Sequence, residues 1–370
     1  MKANKTIVVT GGGSGGHLFP ALELIEHWEL LGYKVIFLGS SKHLEFDVLK
    51  EKKPHIFFYS YPVGKLRRYL SWKNVKDFFL FFQGIWVCFF FFLTSKSKNK
   101  IVGVVSTGGF VSLPPAIAAY LVRIPLFVHE QTSRAGLANV IAGKLATRIF
   151  LTYESSRKFF PLERTKVTGI PLRKKIFMIP EIKNEIQKNS SKELLLITGG
   201  GNGSLLLNTF VEENFEWLSE NFIVIHQVGK NFIENFSKKA SDSYWPFSIL
   251  GEEILDYMKI SSVVISRAGA GTVAELMAIK KRTIFVPLQG AQKDEQYFNA
   301  LEAEKLLGSF VIREKDFHFE VVFPLILQLK EYYKNHEKFS LPILENNPTL
   351  KIVNEILKEI GDEESNKKKF

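Results

Sequence analysis

Residues 10–17 (TGGGSGGH) join a short β-branched run to a helical pattern, and this junction constrains the fold more than any other feature. Glycines let backbone N–H groups face an anion without a Cβ in the way, and the helix start behind them adds partial positive charge. Residues 195–203 (LLITGGGNG) repeat the order of strand, glycine loop and helix start. The sequence therefore predicts two anion-binding units. A glycine loop alone does not say whether the anion is a dinucleotide, a sugar nucleotide or a lipid phosphate.

Short apolar runs alternate with helical patterns along the whole chain. Continuous apolar runs are typical of strands buried on both faces of a parallel sheet, and their alternation with helices predicts doubly wound α/β domains. Such sheets bind ligands at the carboxyl ends of their strands. The candidate strands are residues 6–10, 35–38, 55–59, 101–106, 126–129, 148–151, 194–198, 222–227, 262–266, 283–286 and 309–312.

A polar stretch at residues 174–192 separates the two glycine-loop units of this 370-residue chain. The length is sufficient for two domains of ordinary size. We place the boundary near residues 171–174, which predicts an N-terminal domain at 1–172 and a C-terminal domain at 173–342. The charged tail at 361–370 is predicted to be disordered.

The net charge of +11 favours anionic partners such as nucleic acid, phosphorylated metabolites or an acidic membrane surface. The basic residues cluster around a phenylalanine-rich run and not on a base-stacking platform, so no nucleic-acid partner is predicted. The single cysteine, Cys88, cannot form an internal disulfide and fits a reducing cytoplasm. The N-terminal apolar run is too short for a signal peptide.

Residues 78–93 form an unusually aromatic helical pattern that is apolar on all sides. A surface helix of a soluble domain should have a polar back, and about 20 residues are needed to span a bilayer. An apolar element flanked by cations is typical of a membrane-surface helix, and the alternatives are a buried helix or an oligomer interface. The predicted membrane contacts are Phe78, Phe82, Ile85, Trp86 and Phe89, and the flanking cations are Lys65, Arg67, Arg68, Lys73, Lys76, Lys96, Lys98 and Lys100.

Polar residues follow the strands of the first half. His129, Glu130 and Thr132 come at the end of one strand and are expected to lie near His17, because strand ends converge on one edge. A dinucleotide loop would require a carboxylate at the end of the second strand, which here reads FLGSS. His17 either holds the helix start or, as a neutral imidazole at a positive helix end, acts as a general base.

Two motifs of the second half suit a sugar nucleotide. In residues 266–275 (SRAGAGTVAE), Thr272 can donate to a phosphate and Glu275 can accept ribose hydroxyls, although the helix dipole alone would favour an acid there. Gln296 and Asn299 lie three apart on one predicted helix face. Amides suit sugar hydroxyls because each amide both donates and accepts, and a solvated helix face is the alternative.

Taken together, these residues resemble the MurG family of peripheral bacterial N-acetylglucosaminyltransferases over nearly the whole chain. The family transfers N-acetylglucosamine from UDP-N-acetylglucosamine to undecaprenyl-pyrophosphoryl-MurNAc-pentapeptide (lipid I) and so forms lipid II for peptidoglycan. The matching motifs are GGGSGGHLFPAL, STGGFVSLP, HEQTSRAGLAN, TGIPLR, GGGNGSLLLN, SRAGAGTVAE and KDEQYFNA.

The resemblance implies a GT-B fold, in which two Rossmann-like domains face a cleft and a C-terminal helix, here 348–360, returns to the N-terminal domain. It implies His17 and Glu275 as catalytic residues, with His17 as the base on the acceptor hydroxyl and Glu275 on the ribose. The implied UDP-N-acetylglucosamine contacts are Ser14, Gly15, Gly16, Thr132, Arg173, Gly201, Ala270, Gly271, Thr272, Val273, Ala274, Glu275 and Gln296. The implied acceptor side is Gly13, Phe110, His129, Glu130 and Asn299.

The implied reaction is direct displacement with inversion at the anomeric carbon. No cofactor and no metal are expected, since no D-x-D-type acidic cluster is present. The resemblance also implies a peripheral location on the cytoplasmic face of the cell membrane, other cell-wall synthesis proteins as partners, and a part in cell shape and division.

The chain departs from the family pattern at Thr132, where asparagine is usual, at Gly201, where serine is usual, and at Ser14, where threonine is usual and the hydroxyl is kept. Two alternatives stay open: a GT-B glycolipid synthase with another lipid acceptor, and a non-catalytic UDP-sugar-binding scaffold at the membrane.

Overall fold

The computed structural model describes residues 5–64, 72–98, 100–181, 192–290 and 294–362, with the backbone alone at 72–76 and 96–98. Several predictions fall outside this part of the chain. They concern most of the tail, at 363–370, and the side chains of Lys65, Arg67, Arg68, Lys73, Lys76, Lys96 and Lys98. The chain divides into two compact units. Unit 1 runs up to Leu172 and resumes at Glu345, and unit 2 runs from Arg173 to Leu344.

Unit 1 is built on a seven-stranded parallel sheet with the strand order β3-β2-β1-β4-β5-β6-β7. Its strands are β1 (Thr6–Thr10), β2 (Lys34–Gly39), β3 (Phe57–Ser60), β4 (Ile101–Ser106), β5 (Leu126–Glu130), β6 (Arg148–Leu151) and β7 (Thr165–Val167). Its helices up to Leu172 are α1 (Gly15–Leu30), α2 (Leu44–Lys52), α3 (Trp72–Lys98), α4 (Leu113–Leu121) and α5 (Leu137–Leu145). β1 lies inside the sheet, with β2 and β3 following it on one side and β4 to β7 on the other. The carboxyl ends of β1, β4 and β5 are therefore neighbours.

Unit 2 repeats the plan with a six-stranded parallel sheet, in the order β10-β9-β8-β11-β12-β13. Its strands are β8 (Glu193–Thr198), β9 (Phe222–Gln227), β10 (Tyr244–Phe247), β11 (Val263–Ser266), β12 (Ile284–Phe285) and β13 (Phe310–Val311). Its described helices are α6 (Leu205–Glu213), α7 (Phe215–Asn221), α8 (Ile233–Ser237), α9 (Ile254–Ile260), α10 (Ala270–Ala278), α11 (Glu295–Leu307) and α12 (Phe319–Asn335). The prediction of two parallel α/β domains is confirmed.

The last described helix, α13 (Pro348–Glu359), belongs to unit 1. Pro348 starts the helix, where a missing N–H costs nothing, and the side chain of Asn347 accepts a hydrogen bond from the Thr349 N–H. The buried apolar residues recur on one face of the helix and join the core formed by α1, β1 and β2. They are Ile352, Val353, Ile356 and Leu357.

Helix α3 is longer than its apolar pattern, and its two sides have different surroundings. Phe81, Cys88 and Phe92 are buried in the core of unit 1, where α3 packs on α4. The other side leaves large apolar side chains exposed, namely Phe78, Phe79, Phe82, Trp86, Phe90 and Leu93. Among the described residues, the stretch Asp77–Ser95 alone is long and apolar enough to cross a membrane, judged by length and composition. The pattern is therefore apolar all round because one side faces the core and the other is uncovered.

Candidate active site

The first glycine loop, residues 11–13, leaves β1 and lies against a second loop that leaves β4. The N–H of Gly12 donates to the carbonyl of Gly108 at 3.2 Å. A Cβ on Gly11 would overlap the Thr107 side chain, and a Cβ on Gly109 would overlap the Gly12 carbonyl. Glycine is required at these positions because the two loops touch through their backbones. This contact fixes where α1 begins.

Glu45 is hydrogen-bonded to the backbone of the glycine loop. Its carboxylate is fully buried and accepts hydrogen bonds from the N–H of Gly13, at 3.1 Å, and from the N–H of Ser40, at 3.2 Å. A buried carboxylate needs such donors to offset its lost hydration. The N–H of Gly13 is thus already occupied by this carboxylate. The more exposed start of α1, at Ser14, Gly15 and Gly16, is the part of the loop that can meet an anionic ligand.

His17 lies in the first turn of α1 and is half-buried. Its Nδ1 lies 3.1 Å from the carbonyl oxygen of Thr107 and 3.1 Å from Oε1 of Gln131. Both partners are acceptors, so Nδ1 carries the proton of the neutral ring. Nε2 is then the basic nitrogen. This is the arrangement that a general base requires.

His129 lies on β5 and is linked to His17 through Gln131. Its Nε2 lies 3.0 Å from the carbonyl of Gly169, and its Nδ1 lies 3.2 Å from Nε2 of Gln131. Burial lowers the pKa of His129 to about 4, against the opposing effect of the Gly169 hydrogen bond. His129 is therefore neutral near pH 7. The predicted proximity of the two histidines is observed, with an amide between them.

Glu130 and Thr132 hold the loop after β5. The buried carboxylate of Glu130 accepts hydrogen bonds from the N–H of Thr132 and Gly136, the hydroxyl of Thr132 and the amide of Asn139, at 2.8 to 3.1 Å. The Thr132 hydroxyl also lies 2.7 Å from the Arg134 carbonyl. These contacts fix the conformation of the loop that follows β5. They occupy the polar atoms of Thr132 within unit 1.

Phe110 lies beside the glycine loop. It starts the turn Phe110–Ser112, which leads from β4 into α4, and its ring packs edge-on against His43 with centroids 5.3 Å apart. A Cβ on Gly13 would lie 2.6 Å from the Phe110 ring, and Gly13 has a φ of +76°. The predicted acceptor-side residues Gly13 and Phe110 are therefore direct neighbours.

Unit 2 contains a cavity of about 680 Å³ beside its own glycine loop. This is the size of a small-molecule site. The cavity is lined by Gly199, Gly201, Asn202, Gly203, Ser204, Leu205, Leu206, Thr209, Arg267, Leu288, Gln296 and Glu314. The structure thus brings the predicted residues Gly201 and Gln296 to one cavity.

Arg267 is the positive charge of this cavity. Its Nε donates to Ser204 Oγ at 2.9 Å, and its Nη1 donates to the Val286 carbonyl at 3.1 Å and pairs with Glu314 at 2.6 Å. Ser204 in turn caps α6 by accepting from the Leu207 N–H. A guanidinium and a helix N-terminus at one cavity form a site suited to a phosphate group.

Gln296 has a fixed orientation at the cavity wall. Its Oε1 accepts a hydrogen bond from the Leu288 N–H at 3.0 Å, which turns the amide NH₂ towards other partners. Asn299 is one turn further along α11 and is buried, with 1% of its surface exposed. The two amides share a helix face, but among the two only Gln296 lines the cavity.

Glu275 and Arg173 form a bidentate ion pair in unit 2, with Nε–Oε1 at 2.7 Å and Nη2–Oε2 at 2.9 Å. Two parallel N–H···O contacts fix both side chains strongly. A carboxylate has four acceptor positions, so this pair leaves capacity for two hydroxyl groups. The predicted contacts at 270–274 form the first turns of α10, with Gly271 exposed and Val273 buried. None of these five residues lines the cavity.

No group of three or more His, Cys, Asp or Glu side chains that could hold a metal occurs among the described residues. The sequence patterns had not singled out Glu45, Thr107, Gln131, Ser204 or Glu314 as site residues. Within the quoted family motifs, no role had been assigned to Thr107, Gln131, Ser204 and Arg267. Glu45 and Glu314 lie outside these motifs, and no sequence pattern marks them.

Comparisons with known proteins place these features in one family. Residues 7–151 match the glycosyltransferase family 28 N-terminal domain, and residues 194–360 match the glycosyltransferase family 28 C-terminal domain. A UDP-N-acetylglucosamine--N-acetylmuramyl-(pentapeptide) pyrophosphoryl-undecaprenol N-acetylglucosamine transferase of Clostridium tetani is 34% identical over 338 residues, covering 90% of this chain and 92% of that protein. The transferase of the same name from Clostridium perfringens is 34% identical over 342 residues, with coverage of 92% and 93%.

The fold is also that of a solved structure. The crystal structure of Acinetobacter baumannii MurG superimposes with a TM-score of 0.69 at 23% identity, covering 96% of this chain and 99% of that one. The predicted GT-B fold class, with its two parallel α/β domains, is therefore confirmed.

Proposed function

Because the chain belongs to glycosyltransferase family 28 and to its N-acetylmuramyl-(pentapeptide) pyrophosphoryl-undecaprenol N-acetylglucosamine transferases, we infer that it catalyses the reaction of these relatives. It transfers N-acetylglucosamine from UDP-N-acetylglucosamine to lipid I and forms lipid II. The observation that carries the catalytic part of this proposal is the environment of His17, whose Nδ1 faces two acceptors.

In the proposed reaction, Nε2 of His17 removes the proton of the MurNAc O4 hydroxyl while this oxygen bonds to the anomeric carbon of the donor. The bond between that carbon and the diphosphate breaks, and its electron pair leaves with UDP. The configuration at the anomeric carbon is inverted. The start of α1, at Ser14, Gly15 and Gly16, faces the anionic groups, since helix N-termini stabilise negative charge.

The donor is proposed to bind to unit 2. The cavity beside residues 199–203 offers Arg267 and the capped start of α6 to phosphate, and the NH₂ group of Gln296 to a sugar oxygen. Glu275 retains acceptor capacity for ribose hydroxyls while it is paired with Arg173. Each of these contacts has the polarity that a UDP-sugar needs.

The test is an assay with labelled UDP-N-acetylglucosamine and a short-chain lipid I, with and without a chelator. We expect UDP release that depends on the acceptor. Transfer to diacylglycerol in place of lipid I would indicate the glycolipid-synthase alternative. Tight donor binding without transfer to any lipid would indicate a non-catalytic UDP-sugar-binding scaffold. The departures from the family pattern at Thr132 and Gly201 are the reason for considering this alternative. Either result would overturn the proposal.

We propose that the exposed side of α3 is the membrane contact, and that the enzyme is a peripheral protein on the cytoplasmic face of the cell membrane. Apolar side chains there are solvent-exposed by 45 to 67%, and they lie on one helix. An apolar patch of this kind on a folded unit usually marks an interaction surface. Lys100, two residues beyond the end of α3, is exposed and suits anionic headgroups.

Replacing Phe82, Trp86 and Phe90 together by serine should weaken binding to anionic vesicles by at least about 100-fold, because each buried aromatic contributes roughly 1.5–3 kcal/mol. All three are exposed, so the fold should be retained. Vesicle co-sedimentation measures the effect. The matched control replaces the exposed Leu162 and Leu306, which lie elsewhere, by serine. Unchanged vesicle binding of the triple variant would exclude this face as the membrane contact.

A further inference from the structure

The interaction between His129 and the Gly169 carbonyl sets the tautomer of the His129 ring. A carbonyl oxygen only accepts, so the nitrogen that faces it, Nε2 of His129, carries the ring proton. The other ring nitrogen, Nδ1, is then an acceptor as long as the ring is neutral. The ring is fully buried, and burial disfavours the charged form.

The amide of Gln131 has one orientation in this environment. Its Nε2 faces three acceptors: the Thr107 carbonyl at 2.5 Å, the His129 carbonyl at 3.2 Å and the His129 Nδ1 at 3.2 Å. Turning the amide by 180° would place its oxygen against these three acceptors. Gln131 is buried, with 1% of its surface exposed, so water cannot compensate for such a repulsion.

We propose that Gln131 is a positioning residue for catalysis, which presents its amide oxygen to the Nδ1–H of His17 while its NH₂ group faces the Thr107 carbonyl and His129. The contact from Oε1 to Nδ1 is 3.1 Å. It holds the ring with Nε2 as the basic nitrogen, and its dipole stabilises the imidazolium that forms when His17 takes a proton. The inference rests on the proposed role of His17 as the base.

Among the described residues, two carboxylates on the surrounding elements are already hydrogen-bonded, and the ring of His43 packs on Phe110. Glu45 on α2 is bonded to the N–H groups of Gly13 and Ser40, and Glu130 at the end of β5 is bonded to the loop that follows it. His129 is linked to His17 through Gln131, and the two rings also interact electrostatically. The amide oxygen of Gln131 is the side-chain group next to Nδ1 of His17. A substitution at Gln131 therefore changes the surroundings of this nitrogen while both buried carboxylates stay in place.

The test is the pH profile of kcat/KM in two variants that should move it in opposite directions. Activity requires a neutral His17, so it falls at acidic pH. Gln131→Met removes the oxygen that stabilises the imidazolium, and the acidic limb should move to lower pH by about half a unit. Gln131→Glu adds a negative charge next to Nδ1, and the limb should move to higher pH by about 1–3 units.

Control variants test whether the shift is specific to Gln131 and whether His17 is the base. Gln328→Met and Gln328→Glu change an exposed glutamine on α12 and should leave the limb in place. A loss of kcat without movement of the limb in either Gln131 variant would mean a merely structural role and would overturn the inference. Full turnover by His17→Ala would instead remove the premise.

A measurement on the unmodified protein covers the case in which both variants fail to fold. Nitrogen NMR of ¹⁵N-histidine-labelled protein reports which ring nitrogen carries the proton. We expect His17 protonated at Nδ1 and His129 protonated at Nε2 near pH 7. The opposite tautomer at either ring would overturn the chain of contacts.

Discussion

Replacing His17 by alanine should lower kcat by about 10²–10⁴-fold, the usual contribution of a general base. The ring is the one titratable side chain in the first turn of α1, and its Nδ1 is committed to Thr107 and Gln131. Without Nε2 the acceptor hydroxyl must lose its proton to water. The proposed donor cavity lies in unit 2, so the Kd for UDP-N-acetylglucosamine should change by less than about twofold. Turnover assays and calorimetry measure the two effects separately.

The matched control for this variant is His55→Ala. His55 is an exposed histidine of unit 1 that pairs with Glu29 at 2.5 Å, away from the glycine loop. It should keep normal turnover. If His17→Ala also kept normal turnover, the base would be another group, and the hydrogen bonds of His17 would serve only to fix the loops.

Replacing Glu275 by glutamine should weaken UDP-N-acetylglucosamine binding by about 10- to 100-fold, as hydrogen bonds to a charged group are each worth roughly 1.5–3 kcal/mol. The variant loses the charge that pairs with Arg173 and part of the capacity to accept hydroxyls. The diagnostic ligand is 2′-deoxy-UDP. We expect the unmodified protein to prefer UDP, and the variant to lose most of this preference.

The control replaces Glu212, an exposed acid of unit 2 that pairs with Lys239, by glutamine. It should bind both nucleotides normally. Equal loss of UDP and 2′-deoxy-UDP binding in Glu275→Gln would show that the carboxylate acts only by holding Arg173. The ribose assignment would then be wrong.

The buried strands were predictable because their physical signal is strong. Strands with both faces buried read as uninterrupted apolar runs, and the predicted runs 6–10, 101–106, 148–151 and 222–227 coincide with observed strands. The two strands that were missed, β7 and β10, each lie at the edge of their sheet. β7 carries Lys166 and is largely exposed, and β10 contains Pro246, which a central strand would not tolerate.

The loops of the site were predictable, but the contacts that orient the side chains were not. Topology brings the ends of β1 and β5 together, so the proximity of His17 and His129 followed from the pattern. The role of Gln131 depends on which amide atom faces which neighbour, and Glu45 reaches Gly13 across 32 positions of the chain. Such pairings require a three-dimensional structure, because the spacing along the sequence carries no trace of them.

The return of α13 to unit 1 affects the order in which a nascent chain can fold. Unit 2 is one uninterrupted segment, from Arg173 to Leu344, and all of it leaves the ribosome before α13 does. The core around α1 lacks Ile352 and Ile356 until then. During synthesis, the half of the molecule that is made first is therefore the half that is completed last, and its apolar surface stays open while the second half folds.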